Sequence, residues 1–287
     1  MKNEKSERFD LPVIQRKNVF TPPVFLRRLI ASICPLLRHF PIDIRGQENL
    51  LQNEQAVFVC NHSNSHDLLV AMEVFSRLHR RYTFLAARDG LNAFIKMIFI
   101  LGNAVLISRA SKESRRTGFE KFCCKIQKGE SGLIFPESTW NLHPTLPMHQ
   151  LNAGFLRASL TTGVPVIPVI LEYIEVPDIQ RKESKLYTSC VVTFGMPIVP
   201  SKEQDLFEQA EYVRTMMADM RKAVWKEFGI KRDSPETIDR ELYLNHLDLK
   251  KNHAVGFRYD SALESRFLLD QENDYCMNER GEFVPNL

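Results

Sequence analysis

The chain has 287 residues, 44% of them hydrophobic and 25% charged, and a formal net charge of only +3. This suits one large or two small domains with a real core, and excludes a disordered or low-complexity chain. Charge is uneven: residues 75–130 hold twelve Lys/Arg against four Asp/Glu, and residues 228–287 hold eight against twelve. A basic middle suits either an anionic partner or a solvated surface.

In chain order, residues 1–20 are polar, and Met1–Asp10 is too charged for a secretory leader. After Pro22-Pro23, the residues Leu26, Leu29, Ile30, Ile33, Leu36 and Leu37 fall at helical spacing, flanked by Arg27, Arg28 and Arg38. Pro35 should end or kink this helix near Cys34. Such a basic amphipathic helix either lies in a membrane interface, arginines among the headgroups, or packs on a domain core. From about Asn49 the chain alternates. Strands are predicted at Ala56–Cys60, Tyr82–Ala87, Ala104–Ile107, Gly132–Phe135, Val164–Leu171 and Ser189–Phe194. Helices are predicted at Asp67–Arg77, Leu91–Leu101, Lys112–Lys128, Asn152–Thr162 and Lys202–Phe228.

This alternation predicts an α/β fold, a largely parallel sheet flanked by helices, preceded by the amphipathic segment. The organisation expected is an N-terminal arm (1–44), a catalytic domain (45–228) and an acidic extension of unknown role (229–287), with a weak hairpin signal over Tyr275–Val284. No run reaches the roughly 18 apolar residues of a spanning helix. The nearest, Asn92–Ile107, is broken by Lys96 and Gly102-Asn103. The six cysteines form no CxxC pair or finger spacing, which suits reduced thiols.

Two strings stand out, each following a predicted strand: Asn61-His62-Ser63-Asn64-Ser65-His66-Asp67 and Phe135-Pro136-Glu137-Ser138-Thr139. Sites in parallel sheets gather at the carboxyl ends of strands. The first string contains a His-x4-Asp. A carboxylate folded back onto one imidazole nitrogen fixes the tautomer and leaves the other nitrogen to take a proton, as a general base for a hydroxyl requires. The competing reading makes Asp67 a helix cap. His62 and His66 could instead share a metal, but Ser63-Asn64-Ser65 is turn-like and no HExxH pattern is present. No GxSxG nucleophile accompanies the pair, so direct attack by a substrate hydroxyl is the simplest chemistry. Cys60, next but one to His62, reads as a buried strand residue. The basic stretch lacks interleaved aromatics or a module signature, which argues against nucleic acid.

With Gly102–Arg109 and Val164-Pro165-Val166-Ile167-Pro168-Val169, these strings make four ordered blocks. They resemble the glycerolipid acyltransferases of the 1-acylglycerol-3-phosphate acyltransferase type over about residues 45–200. The resemblance implies His62 and Asp67 as catalytic base and orienting acid. It implies Arg109 as holder of the acceptor phosphate, and Asn64, Glu137, Ser138, Thr139 and Trp140 as substrate-binding positions. It implies no metal or resident cofactor, acyl-CoA or acyl carrier protein as co-substrate, a lysophospholipid acceptor, and a peripheral place among membrane lipids at the cytoplasmic face. The chain departs from the family where Asn64 replaces Ser, Ser138 replaces Gly and Trp140-Asn141 replaces Arg-Ser. The missing Arg leaves the acceptor headgroup open, with Arg88 or Lys112 able to compensate. A lipid-binding protein that kept the fold without the catalysis, or a metal-dependent hydrolase, are the competing functions.

Overall fold

The computed structural model describes residues 19–38, 40–50, 55–64, 66–89, 91–138, 141, 146–175, 187–230, 275–277 and 283–285. Its elements run α1 (Val24–Arg38), β1 (Ile42–Arg45), β2 (Val57–Cys60), α2 (Asp67–Arg77), β3 (Tyr82–Ala87), α3 (Ala93–Leu101), β4 (Ala104–Ile107), α4 (Lys112–Gln127), β5 (Ser131–Ile134), α5 (Gly154–Thr162), β6 (Val166–Glu175), β7 (Tyr187–Phe194) and α6 (Leu206–Glu227). The first seven strands form one sheet in the order β1-β7-β6-β2-β5-β3-β4. Strands β6, β2, β5, β3 and β4 are mutually parallel; β7 pairs antiparallel with β6 and parallel with β1. The fold is therefore the α/β fold with a mostly parallel sheet expected from the alternation. A short antiparallel pair, β8 (Tyr275–Met277) with β9 (Phe283–Pro285), matches the hairpin signal in the C-terminal extension.

Both faces of the sheet are covered, which is why the central strands read as unbroken apolar runs. On β2, Phe58 and Cys60 enter the core beneath α1 and α2, while Val57 and Val59 enter the core beneath α4, α5 and α6. The first face is closed by an aromatic cluster in which Phe58 meets Phe75 at 4.6 Å between ring centroids.

Two features differ from the sequence expectation. Strand β1 straddles the expected boundary between residues 44 and 45, so residues 42–44 belong to the sheet. With four residues on an edge, Ile42-Asp43-Ile44-Arg45 carries too short an alternation to stand out. Helix α1 also runs through Pro35 to Arg38 rather than stopping at Cys34. Lying in the final turn, Pro35 forfeits only its own bond to Ala31 and leaves the earlier ladder intact.

Periodicity leaves the orientation of α1 open. Arg27 is buried (4% exposed) and makes paired bonds to Glu130 at 2.7 and 3.2 Å, with a third to the carbonyl of Tyr82. Ala31 and Cys34 share this inward side. The apolar residues Phe25, Leu29, Ile33 and Leu36 consequently face outward.

Candidate functional site

The site begins where β2 ends. Asn61 extends the β2–β6 ladder by one residue with its side chain: Nδ2 donates to the carbonyl of Leu171 (3.0 Å) and Oδ1 accepts the Leu171 N–H (2.7 Å). A side-chain amide in place of a peptide lets the main chain turn away immediately afterwards. The turn delivers His62 and ends at Asp67, the first residue of α2.

Asp67 is fully buried, and both its oxygens are engaged. Oδ2 accepts from His62 Nδ1 (2.7 Å), Ser63 N–H (2.7 Å) and Asn64 N–H (2.9 Å). Oδ1 accepts from the Tyr173 hydroxyl (2.7 Å). Four donors thus satisfy a carboxylate that burial keeps from water. Asp67 therefore ties the turn together and also faces the imidazole. With Nδ1–H donated to Asp67, the ring's basic lone pair lies on Nε2, on a side chain 23% exposed.

The second string arrives on β5, beside β2, and holds His62 from two further directions. The Phe135 ring packs on the imidazole at 4.6 Å between centroids, tilted by 33°. Glu137 Oε1 accepts the backbone N–H of His62 (2.7 Å), and Oε2 accepts that of His149 (2.9 Å). Burial pushes the Glu137 carboxyl up from 4.5 to about 7, against the two backbone donors and the charge of Arg221, which favour ionisation. Arg221 is itself buried, bonded to Glu172 and to the carbonyl of Pro147.

Several expected substrate contacts have structural partners here. Glu137 is buried with each oxygen on a backbone amide, so it braces the His62 loop. Asn64 is buried, donates to the Tyr187 hydroxyl, and accepts from the backbone N–H (3.0 Å) and Nδ1 (2.8 Å) of His66. His66 lies edge-on to Phe40 and Tyr187. The two histidines thus bond different partners, and among the described residues no three His, Cys, Asp or Glu side chains gather as a metal site. Ser138 sits at φ +59°, a left-handed conformation that explains a glycine at this place in the family pattern; its Oγ accepts from Asn152 (3.0 Å). Thr139 and Trp140 lie outside the described residues.

Arg109 follows β4, at the same carboxyl edge. Its backbone N–H donates to Asp89 Oδ2 (2.7 Å), while Ser108 Oγ donates to Asp89 Oδ1 (3.0 Å). The Arg109 amide holds the Asp89 carboxyl below its usual range. Three strand spacings, β2 to β5 to β3 to β4, place the His62 and Arg109 backbones roughly 14 Å apart along this edge. Arg88, after β3, stands between them and is exposed.

Residues missed by sequence reasoning are Asn61 as a ladder extender, Tyr173 on Asp67, Asp89 beneath Arg109, and the Glu172–Arg221 pair. Only Asn61, inside the first string, had a local signal.

A partly exposed imidazole, fixed by a buried carboxylate at the carboxyl edge of a parallel sheet, can take a proton from a substrate hydroxyl; the architecture is that of an α/β transferase or hydrolase. Residues 41–172 match the family model described as Acyltransferase, in line with the resemblance carried by the four sequence blocks. A solved structure with a similar fold is that of the 1-acyl-sn-glycerophosphate (LPA) acyltransferase PlsC from Thermotoga maritima. It is 18% identical with a TM-score of 0.54, covering 69% of this chain and 79% of that one. Comparison with curated proteins gives no match.

Proposed function

We propose that this protein transfers a fatty acyl group from an acyl thioester, acyl-CoA or acyl carrier protein, to a hydroxyl of a lysophospholipid. The first candidate acceptor is 1-acyl-glycerol-3-phosphate, and the setting is phospholipid synthesis at the cytoplasmic face of a membrane. The observation carrying this reading is the 2.7 Å bond from His62 to an Asp67 that is itself locked on both oxygens.

His62 Nε2 takes the acceptor's hydroxyl proton as the oxygen attacks the thioester carbonyl. The tetrahedral oxyanion collapses, the C–S bond breaks, and the thiolate recovers the proton from the imidazolium. Asp67 stabilises that cation and fixes the ring throughout. Arg109, with Arg88 beside it, would hold the phosphate, for which a guanidinium fork is suited. An acceptor with its hydroxyl at His62 would then lie along the carboxyl edge of the sheet. Among the described residues no helix is long and apolar enough to cross a membrane. Peripheral association through α1 would therefore give access to a bilayer acceptor.

The test is acyl transfer across a panel of lysolipids with both donor types, comparing wild type with His62→Ala. Transfer to 1-acyl-glycerol-3-phosphate should fall at least about a hundredfold in the variant, the lower range for a lost general base. Wild-type transfer that persists unchanged in His62→Ala refutes the base. Lysolipid binding with no transfer from any thioester refutes the enzyme.

A further inference from the structure

Two arginines stand side by side where β3 and β4 end. The register pairs Ala87 with Ile107, and the Arg88 N–H donates to the Ile107 carbonyl (2.8 Å), so the strands stay joined past their last residues. One strand spacing and one residue then separate the Arg88 and Arg109 backbones, roughly 6 Å. Asp89 lies between them and bonds across the gap. Its Oδ2 accepts the Arg109 N–H (2.7 Å) and its Oδ1 accepts the Ser108 hydroxyl (3.0 Å). The rest of this corner is tied from α4: the Ser108 N–H donates to Ser114 Oγ (2.9 Å), and the Arg109 carbonyl accepts from Arg115. Ser114 and Arg115 belong to the helix that the same segment opens, whereas Asp89 reaches Arg109 from 20 residues earlier.

A carboxylate here is a puzzle on charge alone. Asp89 is exposed, so its ion pairs contribute little to the fold. The Arg109 amide holds its carboxyl below the usual range, and its negative charge offsets one of the two guanidiniums that would attract an anion. Geometry works in the opposite direction. With the Arg109 main chain fixed on its N–H and its carbonyl, the guanidinium starts from a set place beside Arg88. Less side-chain freedom is then lost when a phosphate is gripped.

We propose that Asp89 is a positioning residue for the acceptor phosphate: by holding the Arg109 amide and the Ser108 hydroxyl, it sets Arg109 beside Arg88 as one clamp. This rests on the reading above that these two arginines hold the phosphate; binding is measured without any transfer step, so the clamp and the enzyme can fail separately.

The experiment uses the full chain with short-chain, water-dispersed lysophosphatidate and the matching uncharged monoacylglycerol, read by calorimetric binding and by steady-state transfer. Asp89→Ala removes both bonds. Asp89→Asn removes the charge but keeps an oxygen for the Arg109 amide, and the Ser108 hydroxyl turns to accept from the new amide. Asp89→Ala should raise Kd and KM for lysophosphatidate about tenfold, the order of one long side chain left to be ordered on binding, with kcat nearly unchanged. Asp89→Asn should bind lysophosphatidate at least as tightly as wild type, and monoacylglycerol binding and Tm should stay unchanged in both variants. A purely electrostatic role has the opposite sign: Asp89→Ala that binds lysophosphatidate as tightly as wild type, or more tightly, overturns the proposal. Equal weakening for both lipids, or weakening in both variants with a lowered Tm, also overturns it and makes Asp89 structural. Arg109→Ala with unchanged Kd for lysophosphatidate overturns it too, since Asp89 would have nothing to position. The expected pattern of binding with no transfer from any thioester supports the clamp and refutes only the enzyme.

Discussion

Tyr173→Phe tests whether the carboxylate behind His62 must be pinned at both oxygens. The variant keeps the ring, and with it the edge contact to Phe40 (5.7 Å) and the tilted contact to Tyr187 (5.1 Å). It removes only the hydroxyl that donates to Asp67 Oδ1. Oδ2 keeps its three donors, while Oδ1 is left buried without this one. A hydrogen bond to a charged group contributes about 1.5–3 kcal/mol, and burial leaves no water to replace it. For a domain of this size that corresponds to a fall in Tm of about 3–12 °C. In the proposed reaction, a carboxylate free to swivel about its remaining bonds orients the imidazole less well. Transfer should therefore lose about tenfold in kcat with KM nearly unchanged. Calorimetry and steady-state transfer to lysophosphatidate read the two effects separately. A lowered Tm with intact kcat would show that the bond stabilises the fold without serving the site. An unchanged Tm would refute the bond itself.

Glu137 gives a pH signature. Its folded carboxyl is raised from 4.5 to about 7, so between these values the folded chain binds more proton than the unfolded one, and stability falls as pH rises. The fall amounts to about 3 kcal/mol at most, and Glu137→Gln should flatten that part of the stability-against-pH curve; equal slopes in urea titrations of both proteins would count against it. Arg27→Met leaves Glu130 buried with Arg81 as its remaining cation, and should cost about 3–5 kcal/mol by chemical denaturation. Gly46 sits at φ +70°, where an added Cβ would lie 2.1 Å from the Phe194 carbonyl oxygen. Gly46→Ala should therefore cost more than the roughly 1–2 kcal/mol of the left-handed conformation alone, measured as lost Tm.

The four blocks and the strand–helix alternation were legible because each is local. Asp67 lies five residues from His62, close enough for one turn to bring them together, and α2, β3 and β4 lie where apolar spacing placed them. The second string's partnership with the first depended on β5 pairing with β2. Only that adjacency puts Glu137 on the amide of a residue 75 positions away, and Phe135 on its ring.

The sequence by itself thus determined the chemistry of the turn and the class of fold, since these follow from spacing within a few residues. Tertiary structure decided what holds the turn and which way α1 faces. Tyr173 reaches Asp67 across 106 residues, with no motif to mark it. The amphipathic stripe of α1 read equally well as core or as interface, because periodicity gives a helix two sides without saying which is inside. Glu130, 103 residues beyond Arg27, resolves this. A buried carboxylate needs its cation, so Arg27 turns inward with Ala31 and Cys34, and Phe25, Leu29, Ile33 and Leu36 are left for another surface.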